Sequence, residues 1–231
     1  MDNKKMIILA SASPRRKEIM EKLGFEFAVK VSGCEEITKE TEPGKIVVEL
    51  SKIKAKDVAD KYISNKEIVV GADTVVAHKG CIMGKPKDEE AAFDMIKSYE
   101  GDIHKVYTGV SVVIPYKDED EKIRILDGTD EFKLATKDFF GIENLDISAC
   151  TLNKCEAITV SYSVYTDVHV VPMNDSEIKK YANSGEPLDK AGAYAIQGGF
   201  APYISSIQGD YYNVVGLPAC SLYALLKMYF N

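Results

Sequence analysis

Hydrophobic and polar positions along this chain follow two periods, one typical of strands and the other of helices. The apolar run MIILA (6–10) predicts a buried strand, and residues 14–24 repeat at helical spacing, with Ser13 as the cap and Pro14 at the first helical position. VSYSVYTDVHVV (160–171) alternates strictly and predicts a strand with one buried face. Because strand and helix patterns mix throughout, the predicted fold class is α/β.

Further elements follow from the same patterns. A second helix is predicted to begin near Pro43, and EIVVGADTVVAHKG (67–80) with CIMG (81–84) predicts a strand, a turn and a strand. Asn174 and Glu177 resemble a capping box at the start of a helix over 175–183. The residues predicted to face the core from the second helix are Ile46, Leu50, Ile53 and Val58.

Residues 117–156 do not continue these patterns. The segment opens with the charge run KDEDEK, and its periodicity is weak. We therefore expect a surface insertion with limited structure inside a single domain that spans residues 1–231.

Charge and composition exclude several classes of protein. A net charge of −7 argues against binding of long nucleic acids, which needs an extended basic face. No apolar run is long enough to span a bilayer, and MIILA is too short for a secretory signal, so a cytoplasmic protein without a membrane partner is expected. The five cysteines are scattered, which favours reduced, structural thiols.

The stretch SASPRR (11–16) places two arginines at a helix start, where they oppose the helix dipole. Backbone amides at this end of a helix, together with the hydroxyls of Ser11 and Ser13, can hold phosphate oxygens. Arg15 and Arg16 can pair with the same anion, which would reverse their unfavourable effect. The alternative is an exposed basic first turn without a ligand.

Other polar residues sit in apolar surroundings. Asp73 lies within an apolar run and needs a turn, a cation or a metal to offset its burial. Lys54 follows the apolar stripe of the second helix, so its ammonium reaches either solvent or a cleft. Lys85 and Glu35 lie in loops, where solvation is the alternative to a functional role. Gln197 lies between apolar and small residues, where it can read a base edge or satisfy backbone groups.

Taken together, the motifs closely resemble the Maf (septum formation inhibitor) family of nucleoside triphosphate pyrophosphatases. The resemblance covers residues 6–116 and about 158–230, and it does not extend to 117–156. The motifs that carry it are SASPRR (11–16), CEE (34–36), LSKIKA (50–55), GADTVV (71–76), MGKP (83–86), VYTGV (106–110), SGEPLDKAGAYAIQGGFA (184–201) and GDYYNVVGLP (209–218).

The resemblance implies a mixed twisted sheet flanked by helices, two lobes around a central cleft, and a homodimer. It also implies hydrolysis of a nucleoside triphosphate to the monophosphate and pyrophosphate with a divalent cation, Mg²⁺ or Mn²⁺. By that resemblance, Asp73 and Glu35 hold the ion, and Asp73 orients or deprotonates the attacking water, although the sequence does not separate the two roles. Arg15, Arg16, Lys54 and Lys85 would then neutralise charge on the pyrophosphate, so the predicted catalytic residues are Asp73, Glu35, Lys54 and Lys85.

The resemblance also indicates a base preference. GADT with GKP is similar to the branch of the family that acts on dTTP and UTP, and Arg15, Thr74 and Gln197 are the residues tied to base choice. Two other functions remain open at this stage: a nucleotide-sensing regulator of cell division without catalysis, and a pyrophosphatase directed at purine nucleotides.

Overall fold

The protein, seen here in a computed structural model, is described over residues 6–64, 66–136 and 141–230. Its strands form one eight-stranded sheet in the order β2-β1-β3-β5-β7-β6, with β4 beside β3 and β8 beside β7. Pairing is parallel on both sides of β1 and antiparallel elsewhere, which confirms the mixed sheet. The strands are β1 (Met6–Leu9), β2 (Phe27–Val29), β3 (Glu67–His78), β4 (Cys81–Met83), β5 (Ile103–Tyr116), β6 (Ile142–Thr151), β7 (Glu156–Val170) and β8 (Ile204–Gln208).

The helices flank this sheet, and the two predicted caps are present. Ser13 caps α1 by accepting a hydrogen bond from the Arg16 amide, and Asn174 and Glu177 form the capping box of α5. None of the helices in the described residues combines the length and apolar character needed to cross a bilayer. The helices are α1 (Pro14–Leu23), α2 (Pro43–Tyr62), α3 (Glu89–Tyr99), α4 (Glu119–Thr136), α5 (Asp175–Ala182), α6 (Tyr211–Val215) and α7 (Ala219–Phe230).

Three hydrophobic clusters lie on the two faces of the sheet. Helices α1, α4 and α7 cover the largest cluster, while α3 and α5 cover a second cluster that includes Val76, Val106 and Val168. Helix α2 packs on the opposite face, where Ala55 and Val58 meet Ile8 and Val69 of the sheet. The expected two-lobe arrangement stays a prediction.

Helix α2 lies very close to the sheet. A Cβ atom at Gly71 would lie 2.5 Å from the Ser51 carbonyl oxygen, and one at Gly109 would overlap the Val47 carbonyl. The predicted inner face of this helix is therefore largely wrong, because close contact selects small residues over large ones. Of the four predicted residues, only Val58 is buried. The buried residues of α2 are Gly44, Val47, Val48, Ser51, Ala55, Val58 and Ala59.

The expectation of limited structure in residues 117–156 is also wrong, except that 137–140 lie outside the described residues. The segment forms α4 and β6, and β6 pairs with β7 from Ile142 to Thr151. Ile125 and Phe132 of α4 are buried in the largest cluster, where the Phe132 ring lies 5.6 Å from that of Tyr162. The segment thus supplies part of the core and one strand of the sheet.

We expect Phe132→Ala to lower the free energy of unfolding by ~3–5 kcal/mol, because it removes a fully buried ring and leaves a cavity. Leu134→Ala on the same helix is the matched control, since Leu134 is 77% exposed. Urea unfolding of both variants measures the difference. Equal stability of the two would mean that α4 does not pack into the core.

Gly109→Ala is expected to destabilise the protein by ~1–3 kcal/mol, because the added methyl group must push α2 away from the sheet. Gly128→Ala in α4 is the control, because a Cβ there meets only ordinary contacts. Alanine has the higher helix propensity, so this second change should stabilise by ~0.5–1 kcal/mol. Thermal unfolding measures the decrease in stability expected for Gly109→Ala and the increase expected for Gly128→Ala. A Gly109→Ala protein as stable as the wild type would contradict the close packing of α2.

Candidate active site

A pocket of about 850 Å³ opens beside the edge of β3. β1 pairs with β3 only as far as Val70, and β4 begins to pair at Val76. Between these positions the edge of β3 has no neighbouring strand among the described residues. The connection from β1 to α1, part of α2 and residues 186–198 surround the gap. A ligand in the pocket would therefore meet strand edge, helix terminus and loop at once.

Asp73 lies inside β3 at the floor of this pocket, paired with Gly109 of β5. The alternative that it forms a turn is therefore wrong. Its carboxylate oxygen Oδ1 accepts a hydrogen bond from Lys54 Nζ at 2.7 Å, and the same Nζ lies 2.9 Å from Glu36 Oε2. The other oxygen, Oδ2, has no partner among the described residues. Lys54 thus holds the carboxylate in place and leaves one oxygen available to accept a proton.

Arg16 is held by the protein itself. Its Nε donates to the Gly216 carbonyl at 2.8 Å, and its two terminal nitrogens donate to Ser11 Oγ at 3.1 Å and Thr74 Oγ1 at 3.0 Å. Three of its five N–H donors are therefore used, which leaves two for a ligand. Burial lowers the pKa of Arg16, while the nearby Asp73 carboxylate acts in the opposite direction.

Thr74 continues this network into the sheet. Thr108 Oγ1 donates to the Asn213 carbonyl at 2.9 Å, so it accepts from Thr74 Oγ1, which lies 2.9 Å away. Thr74 then accepts from Arg16, since its own proton is already used. In this arrangement Thr74 offers a ligand only an acceptor, and its main contact fixes Arg16.

Three polar side chains in the pocket remain available to a ligand. Arg15, Lys85 and Gln197 line it and make no hydrogen bond or ion pair with other described residues. Arg15 stands in the first turn of α1, which contains no acidic side chain, beside backbone amides that favour an anion. Lys85 follows β4, and Gln197 lies in the loop before the short 3₁₀ helix Ala201–Tyr203, which leads to β8. The pocket thus combines two free cations with one free amide.

The structure brings together all but one of the residues that the sequence predicts for the site. The exception is Glu35, which is exposed and does not line the pocket, whereas its neighbour Glu36 does. The predicted residues that line the pocket are Ser11, Ser13, Arg15, Arg16, Lys54, Asp73, Thr74, Lys85 and Gln197.

Sequence reasoning missed other residues of the pocket. Glu186 and Lys190 line it, and both lie in the motif SGEPLDKAGAYAIQGGFA that the resemblance had already marked. Gly216 was marked in the same way by GDYYNVVGLP, but only the fold places its carbonyl against Arg16. Thr108 does not line the pocket itself; it was marked by VYTGV, but only the fold places its hydroxyl against Thr74.

The donor set agrees with a divalent cation that is shared with a substrate. Within the described residues no group of three or more histidine, cysteine or acidic side chains forms a complete metal cage. Glu36 and Asp73 nevertheless place two carboxylates around Lys54. Mg²⁺ is commonly bound by one or two carboxylates together with substrate phosphates, so these residues fit such an ion.

Comparison with known proteins decides the family. The model of the Maf-like protein family matches residues 6–140 and 143–229. The chain belongs to the Maf-like family. The match includes most of 117–156, so the expectation that this segment has no counterpart in the family is wrong, in agreement with its place in the core.

Curated relatives match over nearly the whole chain. A dTTP/UTP pyrophosphatase of Lachnoclostridium phytofermentans is 42% identical over 223 residues, which cover 96% of this chain and 94% of the relative. Proteins of the same name from Agathobacter rectalis and Alkaliphilus metalliredigens are 40% and 39% identical, with 96% and 97% of this chain covered and 96% of each relative.

Proposed function

We propose that this protein hydrolyses dTTP and UTP to the nucleoside monophosphate and pyrophosphate. The observation that carries the proposal is Asp73, a buried carboxylate at the pocket floor that Lys54 holds by one oxygen while the other stays available. The names of the relatives agree with this activity. A nucleotide sensor without catalysis would not need such a carboxylate, which favours the enzyme.

The reaction follows from the positions of these side chains. Asp73 Oδ2 accepts a proton from a water molecule as the water oxygen bonds to the α-phosphorus. The bond between that phosphorus and the bridging oxygen to the β-phosphate breaks, and the electron pair leaves with pyrophosphate. Arg15 and Lys85, the two cations of the pocket lining that have no partner among the described residues, stabilise the charge that develops on this leaving group.

A divalent cation, Mg²⁺ or Mn²⁺, belongs to this proposal. Asp73 and Glu36 are the carboxylates that would hold it, in place of the Asp73 and Glu35 pair that the sequence predicts. When bound, such an ion polarises phosphate oxygens and offsets their charge. Lys54 lies between the two carboxylates and keeps them ordered.

Gln197 supports the pyrimidine preference. An amide carries both a donor and an acceptor, which match the O4 and N3–H edge of thymine or uracil. A base with the wrong edge would leave polar groups unpaired, which costs binding energy. We also propose that the enzyme acts on free nucleotides, since a net charge of −7 disfavours nucleic acid polymers. Its proposed location is the cytoplasm and its proposed assembly is a homodimer.

Asp73→Asn is expected to lower kcat ~10²–10⁴-fold, because an amide keeps the shape of the side chain but does not accept the proton. Pyrophosphate release from dTTP measures this loss, and KM should change little. Asp167→Asn on the same sheet is the control, since Asp167 pairs with Lys105 and does not line the pocket. Near-normal turnover of Asp73→Asn would contradict this mechanism.

Removal of divalent cations should abolish turnover, and added Mg²⁺ or Mn²⁺ should restore it, because the site supplies only hard oxygen donors. Glu36→Gln should raise the Mg²⁺ concentration required for half-maximal activity by ~10-fold, in line with the loss of a metal contact. Glu35→Gln is the neighbouring control and should leave that concentration nearly unchanged. A higher Mg²⁺ requirement in Glu35→Gln, with none in Glu36→Gln, would support Glu35 as the metal ligand, as the sequence predicts.

Gln197→Ala is expected to reduce discrimination between pyrimidine and purine triphosphates more than it slows the preferred substrate. The measurement is kcat/KM for dTTP, UTP, CTP, GTP and ATP in the wild type and in the variant. A wild-type preference for a purine triphosphate would refute the substrate assignment. An unchanged ratio in the variant would refute the role of Gln197 alone.

A further inference from the structure

The loop that carries Gln197 is a tight turn. The Gly198 amide donates to the Ala195 carbonyl at 3.0 Å, so Ile196 and Gln197 occupy the two central positions of a four-residue turn. The Gln197 side chain is exposed and has no hydrogen-bond partner among the described residues. Its orientation therefore depends on what holds the backbone on either side.

Two side chains hold that backbone. The Ala195 amide, just before the central residues, donates to the Tyr181 hydroxyl at 3.2 Å. The Gly199 amide, just after the turn, donates to Glu186 Oε2 at 3.0 Å. The Tyr181 hydroxyl donates in turn to Glu186 Oε1 at 2.9 Å, which joins the two contacts. Gln197 thus lies between two anchored amides that share one hydrogen-bonded pair.

The surroundings keep this pair in place. Burial raises the pKa of the Tyr181 phenol, so the hydroxyl stays protonated. It donates a hydrogen bond to the Glu186 carboxylate. A Cβ atom at Gly198 would overlap the Glu186 carboxylate, and one at Gly199 would lie 3.3 Å from the Tyr181 ring. The glycines of the turn therefore allow the backbone to reach the pair directly.

We propose that Tyr181 and Glu186 act as positioning residues that fix Gln197 for recognition of the pyrimidine base. The inference rests on the proposed function of the pocket and adds the residues that set its selectivity. Tyr181 does not line the pocket, so it acts through the turn and not on the substrate. Glu186 lines the pocket, but its two carboxylate oxygens accept from the Tyr181 hydroxyl and the Gly199 amide. Loss of either anchor should let Gln197 sample other orientations and accept other bases.

The anchors can be tested without any substrate. Tyr181→Phe should accelerate hydrogen exchange at least ~10-fold at the Ala195 amide, and Glu186→Ala should do the same at the Gly199 amide, because in each variant that amide loses its acceptor. Glu177→Ala is the matched control, since it removes the side chain that accepts from the Asn174 amide in the capping box of the helix that carries Tyr181, without touching the turn. Unchanged exchange at both amides would show that Tyr181 and Glu186 do not hold the turn, whatever the enzyme hydrolyses.

Selectivity is the second readout. Both variants should reduce the dTTP-to-ATP ratio of kcat/KM by about threefold to tenfold, in line with loss of a net hydrogen bond, while kcat for dTTP changes less. Glu186→Gln should recover part of the ratio, because its amide oxygen still accepts from Gly199 and its NH₂ group still reaches Tyr181. Glu177→Ala should leave the ratio unchanged.

Combined variants show whether Tyr181 and Glu186 affect selectivity through Gln197. If the anchors act through Gln197, adding Tyr181→Phe to Gln197→Ala should change the ratio no further. Additive effects, or faster exchange without a change in ratio, would overturn the positioning role. Absence of dTTP hydrolysis in the wild type would refute the proposed function instead. The exchange data would still decide whether Tyr181 and Glu186 hold the turn.

Discussion

The packing of α2 against the sheet is the contact on which the site depends. Gly71 and Gly109 leave no room between their strands and the helix backbone, so α2 has one permitted distance from β3 and β5. Lys54 projects from this helix and Asp73 from the strand, and their side chains meet at 2.7 Å. A lysine on a long flexible stem rarely has a defined position by itself. Here the rigid contact between helix and sheet, together with two carboxylates, defines it.

The pocket exists because the sheet is incomplete at this place. β1 ends before β3 does, and β4 starts later, so the backbone between Val70 and Val76 faces the ligand space. The two arginines of α1 divide their roles at this edge. Arg16 fixes neighbouring elements through three hydrogen bonds, while Arg15 stays available. The unfavourable placement of two cations at a helix start is thus partly offset by internal contacts of one of them.

Much of the local structure could be predicted, because caps and periodicity act over a few residues. The cap at Ser13, the capping box at Asn174 and the strand β7 are confirmed, although β7 is buried on both faces from Ala157 to Val164 and alternates only beyond it. The expectation of limited structure in 117–156 is wrong for a physical reason. Among the described residues, strand β6 of this segment pairs only with β7, and it contains an irregularity between Glu143 and Asp146, so its side chains do not alternate between buried and exposed.

The sequence by itself determined most element types outside 117–156, the family and the set of chemical groups, since these depend on residue type and short spacing. Only the tertiary structure decided which groups meet. It brought Glu36, and not Glu35, to the pocket lining, because adjacent residues in a loop point to different surroundings. It also joined Tyr181 and Glu186 to the turn around Gln197, and it buried small residues of α2 instead of its large ones. These outcomes depend on contacts between distant segments, whose distances no local pattern encodes.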